Sequence, residues 1–122
     1  MNIMEFRGNE EIMTIELPAD LADDRRSRLA GKLAEYKVRR EESYLPPEGD
    51  FDSVCKIAVL ERIMAGGRVA PRELFRELEA EYGSHPDLEF NFVNACNVIH
   101  DYVTTGGQKV IHASRPFRDI PA

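Results

Sequence analysis

A chain of 122 residues with 43% apolar and 31% charged side chains fits one domain spanning residues 1–122, and it is too apolar for disorder. Its formal net charge of −6 argues against blanket electrostatic attraction to nucleic acid or to an anionic membrane surface. The two cysteines, Cys55 and Cys96, fall inside apolar runs and read as buried reduced thiols, not as a disulfide framework.

In chain order, residues 1–9 read as an irregular tail. Glu11 to Leu17 alternates Ile12, Thr14 and Glu16 with Met13, Ile15 and Leu17, which predicts a short strand ended by Pro18. Asp20 to about Glu42 predicts a long helix, with Asp20 as N-cap, Asp23 and Asp24 at the positive end of the dipole, and Arg39 and Arg40 at the negative end. Gly31 is a weak point in its middle. Tyr44-Leu45-Pro46-Pro47-Glu48-Gly49 is a break.

A second helix, from Asp50 or Phe51 to Ala65, carries Phe51, Val54, Cys55, Ile57, Ala58, Val59, Leu60, Ile63 and Met64. A helix apolar on nearly every face belongs in the middle of a core. Gly66-Gly67 ends it. Pro71 to Tyr82 predicts a third, amphipathic helix, with Leu74, Phe75, Leu78 and Tyr82 inward and Gly83 as its stop. Ser84-His85-Pro86-Asp87 opens a fourth, running to about Thr104, with Leu88, Phe92, Ala95, Cys96, Ile99, Tyr102 and Val103 as its core stripe. Gln108 to Ala113 reads as a second strand, and residues 114–122 as an irregular tail. The expected fold is α+β and helix-rich, in the order β-α-α-α-α-β, with one short strand at each end. The two strands pair with each other or across a dimer, since a lone two-stranded ribbon is marginal.

Two surface stripes stand out. Between Arg25 and Arg40 the first helix holds seven Lys or Arg and a single acid, Glu35. At about 100° per residue, Arg25, Arg28, Lys32 and Arg39 share one side, with Tyr36 beside them. Cations so placed repel one another unless a phosphate-bearing ligand, an acidic partner or the chain's own acids neutralise them. On the fourth helix Phe90, Asn94, Asn97 and Asp101 lie opposite the core stripe, with Asn91 alongside. Asparagine is a poor helix former, so this side either packs, against Gln108–Ala113 or a second subunit, or reads a base or peptide through its amides and aromatic ring.

Other motifs are empty. Cys96 and His100 are four apart, but zinc needs four ligands in close pairs, and Cys55 and His112 do not supply a second pair. Neither glycine pair stands in a phosphate-binding motif, no nucleophile motif occurs, and no metal or cofactor is expected. Met1–Gly8 has no basic start followed by an apolar run, and no stretch approaches the ~20 apolar residues of a spanning helix. A cytoplasmic protein with no membrane contact is the expectation.

The run Met13-Thr14-Ile15-Glu16-Leu17-Pro18 followed by Ala19 to Leu29 resembles the start of a ribbon-helix-helix repressor, although the helix here continues to about Glu42. Phe51 to Ala113 resembles a winged helix, but its third helix, Asp87 to Thr104, carries no Lys or Arg. Both resemblances imply DNA binding. The leading expectation is instead a non-catalytic intracellular binding or regulatory protein of inhibitor or adaptor type, a homodimer or higher. It would hold an acidic protein surface or a phosphate-bearing ligand such as a nucleotide through the basic stripe of the first helix and the Phe/Asn face of the fourth. The alternative is a DNA-binding transcriptional regulator.

Overall fold

The computed structural model describes residues 14–105. They form β1 (Ile15–Glu16), α1 (Asp23–Glu42), α2 (Phe51–Gly66), β2 (Arg68–Val69), α3 (Pro71–Tyr82) and α4 (Pro86–Thr105), with one turn of 3-10 helix at Pro47–Gly49. The four helices dominate, and the two strands make a short antiparallel pair in the register Ile15 to Val69 and Glu16 to Arg68.

The strand pairing differs from the expected one. β1 pairs with β2, a two-residue strand between α2 and α3, so the described strands are not one at each end. Gln108–Ala113 lies outside the described residues, as do residues 11–13 of the expected first strand. The pairing works because both strands bury one side chain, Ile15 and Val69, beneath a ribbon too short to need more. The Leu17 N–H extends the ladder by donating to the Gly67 carbonyl at 2.9 Å. Gly67 is also the left-handed cap of α2, with φ of 79° and its N–H donating to the Ile63 carbonyl. One glycine thus ends the helix and turns the chain into β2.

α2 is the central element, packed against both α1 and α4. Phe51, Val54, Cys55, Val59, Leu60 and Ile63 are buried, as the all-round apolar pattern requires. Asp50 caps its start, accepting from the Ser53 N–H at 3.5 Å. The same carboxylate takes the Arg40 guanidinium at 2.8 Å, tying the end of α1 to the beginning of α2. α3 starts on Pro71, buries Leu74 and Leu78 and packs on α4, while Arg62 and Glu77 pair between α2 and α3. The Phe75 and Phe92 rings meet at 5.3 Å. Leu88, Phe92, Ala95, Cys96, Ile99 and Val103 are the buried stripe of α4.

Two local expectations are corrected. Asp20 is not the N-cap of α1. It sits exposed in a turn closed by the Leu21 N–H on the Pro18 carbonyl, and α1 begins at Asp23 with Ala22 as N-cap and no side-chain cap bond. Burial of Leu21 fixes that turn and moves the helix start past it. Asn97, placed by helical period on the polar side of α4, is fully buried. α4 is enclosed on more than one side, touching α2, α3 and β1, so its wheel has no wholly solvated half.

Candidate interaction groove

Only one residue of α1, Leu29, is buried, and Leu33 and Tyr36 are half-buried above the core. The helix therefore rests on a narrow stripe and stands away from α4. Between the two helices, with α2 as its floor, runs an open groove of about 820 Å3. Its apolar wall comes from Leu29, Ala34 and Val38 of α1, Leu60 of α2, and Val98 and Ile99 of α4. Val38 and Val98 are 50% and 45% exposed, so two aliphatic side chains stand in water at its mouth. Gly31 is in the wall with nothing within 4 Å of where a Cβ would stand.

The charged lining is almost all cationic: Arg28 and Lys32 from α1 and Lys56 from α2, against the single acid Glu35. Lys32 meets Glu35 at 3.3 Å, an exposed i,i+3 pair of small value. Lys56 meets Asp52 at 2.9 Å and stands 5.4 Å from the centre of the Tyr36 ring, whose surroundings also include the Arg39 guanidinium at 5.0 Å. Two cations on one ring hold Tyr36 in place at the groove wall. Among the described residues no ion pair engages Arg25, Arg28 or Arg39. The stripe is thus partly neutralised by the chain's own acids, through Lys32, Lys37 with Glu61 at 2.8 Å, and Arg40, and partly left open. Tyr102 completes the lining, its hydroxyl buried without a hydrogen-bond partner among the described residues.

Of the residues singled out from the sequence, the groove brings together Arg28, Lys32 and Tyr36, with Arg39 stacked behind Tyr36. Arg25, a turn earlier on α1, is half-buried and does not line it. Phe90, Asn94, Asn97 and Asp101 do not line it either. Phe90 is exposed, Asn94 and Asp101 are half-buried, and Asn97 is buried with neither its amide nitrogen nor its oxygen paired among the described residues. Asn91 is occupied locally, donating to the Asp87 carbonyl at 2.8 Å. The two stripes therefore do not converge on one site. The missed residues are Lys56, Val38 and Val98. Val38 and Val98 carried a legible signal, since each is an aliphatic residue off its helix's core stripe.

The thiols are core groups. Both are free and buried. Cys55 donates weakly to the Leu88 carbonyl at 3.8 Å, and its pKa is pushed up to about 12, first by burial and then by the nearby Asp52 carboxylate, against a smaller opposing effect of Lys56. Burial likewise raises Cys96. Such thiols are protonated and unreactive. Among the described residues no cluster of three or more His, Cys, Asp or Glu could hold a metal ion, and no helix is long and apolar enough to cross a membrane. Comparison with protein-family models, with curated proteins and with solved structures found no match.

Proposed function

We propose that the chain is a non-catalytic binding module whose α1–α4 groove takes an acidic amphipathic segment of a protein partner. The observation that carries this reading is the pairing of an open, mainly aliphatic groove with a cationic rim of Arg28, Lys32 and Lys56, in a chain whose net charge is −6. An apolar trough of this kind suits the apolar face of a helix or extended segment, and the rim selects carboxylates at its border. A phosphate-bearing small ligand is less well served. It needs several polar donors converging on one point, whereas this lining is mainly aliphatic, from Leu29, Ala34, Val38, Leu60, Val98 and Ile99.

The test uses two fluorescein-labelled synthetic amphipathic helices with the same leucine face, one bordered by glutamates and the other by lysines. In fluorescence anisotropy the glutamate peptide binds and the lysine peptide does not. Arg28→Glu with Lys32→Glu weakens the glutamate peptide by about tenfold, as expected for reversing two rim charges each worth ~0.2–1 kcal/mol, with the fold unchanged by circular dichroism. Equal binding of both peptides, or binding of neither, refutes the reading. Binding of a short duplex DNA at low salt that disappears in the same double variant would replace it with the DNA-regulator alternative.

A further inference from the structure

The turn between α1 and α2 presents Tyr44 fully exposed and Leu45 half-exposed, followed by Pro46 and Pro47. Large apolar groups so displayed are ordinarily mobile, but here the backbone beneath them is fixed. The Arg40 guanidinium donates both to the Asp50 carboxylate, at 2.8 Å, and to the Leu45 carbonyl. The Ser43 hydroxyl accepts from the Leu45 N–H at 3.0 Å, and the 3-10 turn closes through the Gly49 and Asp50 N–H groups on the Pro46 and Pro47 carbonyls, each at 2.9 Å. Two prolines restrict the rest. The result is a preorganised knob, which loses little conformational entropy on binding. Its border is acidic, with Glu41, Glu42 and Glu48 all exposed.

Knob and groove are complementary twice over. The groove is apolar with a cationic rim, and the knob is apolar with an anionic rim. The Arg40–Asp50 tie holds the knob at the junction of α1 and α2, and neither Tyr44 nor Leu45 lines the groove of its own chain. We infer that the occupant of the groove is the Tyr44–Leu45 knob of a second copy, in a reciprocal dimer in which each copy fills the other's groove. This rests on the groove being a docking site, as proposed above. The layout suits a closed twofold arrangement. Val38, half-exposed, stands midway in sequence between Leu45 and Gly31, whose missing side chain leaves the wall open. Two α1 helices laid antiparallel and crossing near Val38 set each knob toward the other copy's Gly31. Self-association and binding of an acidic partner then compete for one surface, so the free groove is the property of the monomer.

Sedimentation velocity on the full chain tests this. Wild type is a dimer that dissociates on dilution and with added salt. Tyr44→Ala with Leu45→Ala removes the knob, and Gly31→Trp fills the groove. Each alters only exposed positions and weakens dimerisation by about tenfold or more, in line with the weight of a docked tyrosine, while thermal melts confirm that both variants fold. Mixing the two variants restores association in part, because the mixed pair regains one of the two knob-in-groove contacts. The knobless variant also binds the glutamate peptide more tightly than wild type does at equal concentration. A wild type that stays monomeric, or a dimer indifferent to both variants, overturns the inference. The peptide separates the two failures: its binding to a monomeric wild type leaves the groove reading intact and removes only self-docking, whereas no binding to the knobless variant removes both.

Discussion

α1 and α2 lie side by side and have opposite relations to the core. α2 is apolar on nearly every face, is packed against both α1 and α4 and buries six apolar side chains, whereas α1, the longer helix, buries only Leu29. α1 is attached instead at a few defined places: the Leu29 stripe, the Lys37–Glu61 pair and the Arg40–Asp50 tie. The difference separates what holds the fold from what is available for binding. Residues of α2 are constrained by packing, while most of α1 can be changed without cost to the core, and it is α1 that supplies most of the groove wall.

The sharpest way to break this contrast is to truncate one buried residue in each helix. Ile63, fully buried in α2, has no route to relax, so Ile63→Ala should cost ~4 kcal/mol, near the upper part of the range for such changes. Leu29→Ala should cost ~2 kcal/mol, because α1 can settle into the space and the groove beside it is open to water. Denaturant midpoints at constant m-value measure both. Equal losses would mean that α1 is as much a part of the core as α2.

The same contrast has a pH signature. Cys55, within α2, has its pKa raised to about 12 in the folded chain, against about 8.5 for an exposed thiol. The folded state keeps its proton while the unfolded state loses it, so the contribution is complete below about pH 8.5 and is lost progressively as the pH rises toward about 12. Stability should fall between about pH 8 and pH 10.5 under reducing conditions, and the fall should be shallower in Cys55→Ala. A decline of equal slope in the variant would show that Cys55 titrates as an exposed group. In the native protein both thiols should resist alkylation until the chain unfolds.

Much of this contrast was legible in the sequence. The apolar saturation of α2, the amphipathic period of α3 and the core stripe of α4 each follow from spacing that packing then satisfies. The cations of α1 were visible as a stripe, because helical period alone places Arg28, Lys32 and Tyr36 together. What sequence could not show was distance between elements. β2 has two residues, too few to alternate, so its pairing with β1 emerges only when Gly67 turns the chain back. Asn97 falls opposite the core stripe because a helical wheel marks one core side, and α4 has neighbours on several. The groove arises from the standoff between α1 and α4, which depends on how few α1 side chains reach the core.

The smallest expected effect is a gain, and it tests the contrast from the other side. Gly31 sits in the middle of α1, where glycine costs a helix up to ~1 kcal/mol relative to alanine. A Cβ there would meet nothing within 4 Å, so no steric penalty offsets the benefit. Gly31→Ala should raise stability by ~0.5–1 kcal/mol, read as a higher denaturant midpoint with unchanged m-value. A methyl group fills little of an open groove, so the glutamate peptide should bind Gly31→Ala nearly as well as wild type, whereas Gly31→Trp should block it. Stability and binding would then vary independently at one position, as they should on a helix that the core barely holds. If Gly31→Ala instead destabilises the chain, α1 is bent or packed at its middle in a way that its exposed face does not suggest, and the division between a structural α2 and a binding α1 fails at the residue where it is easiest to see.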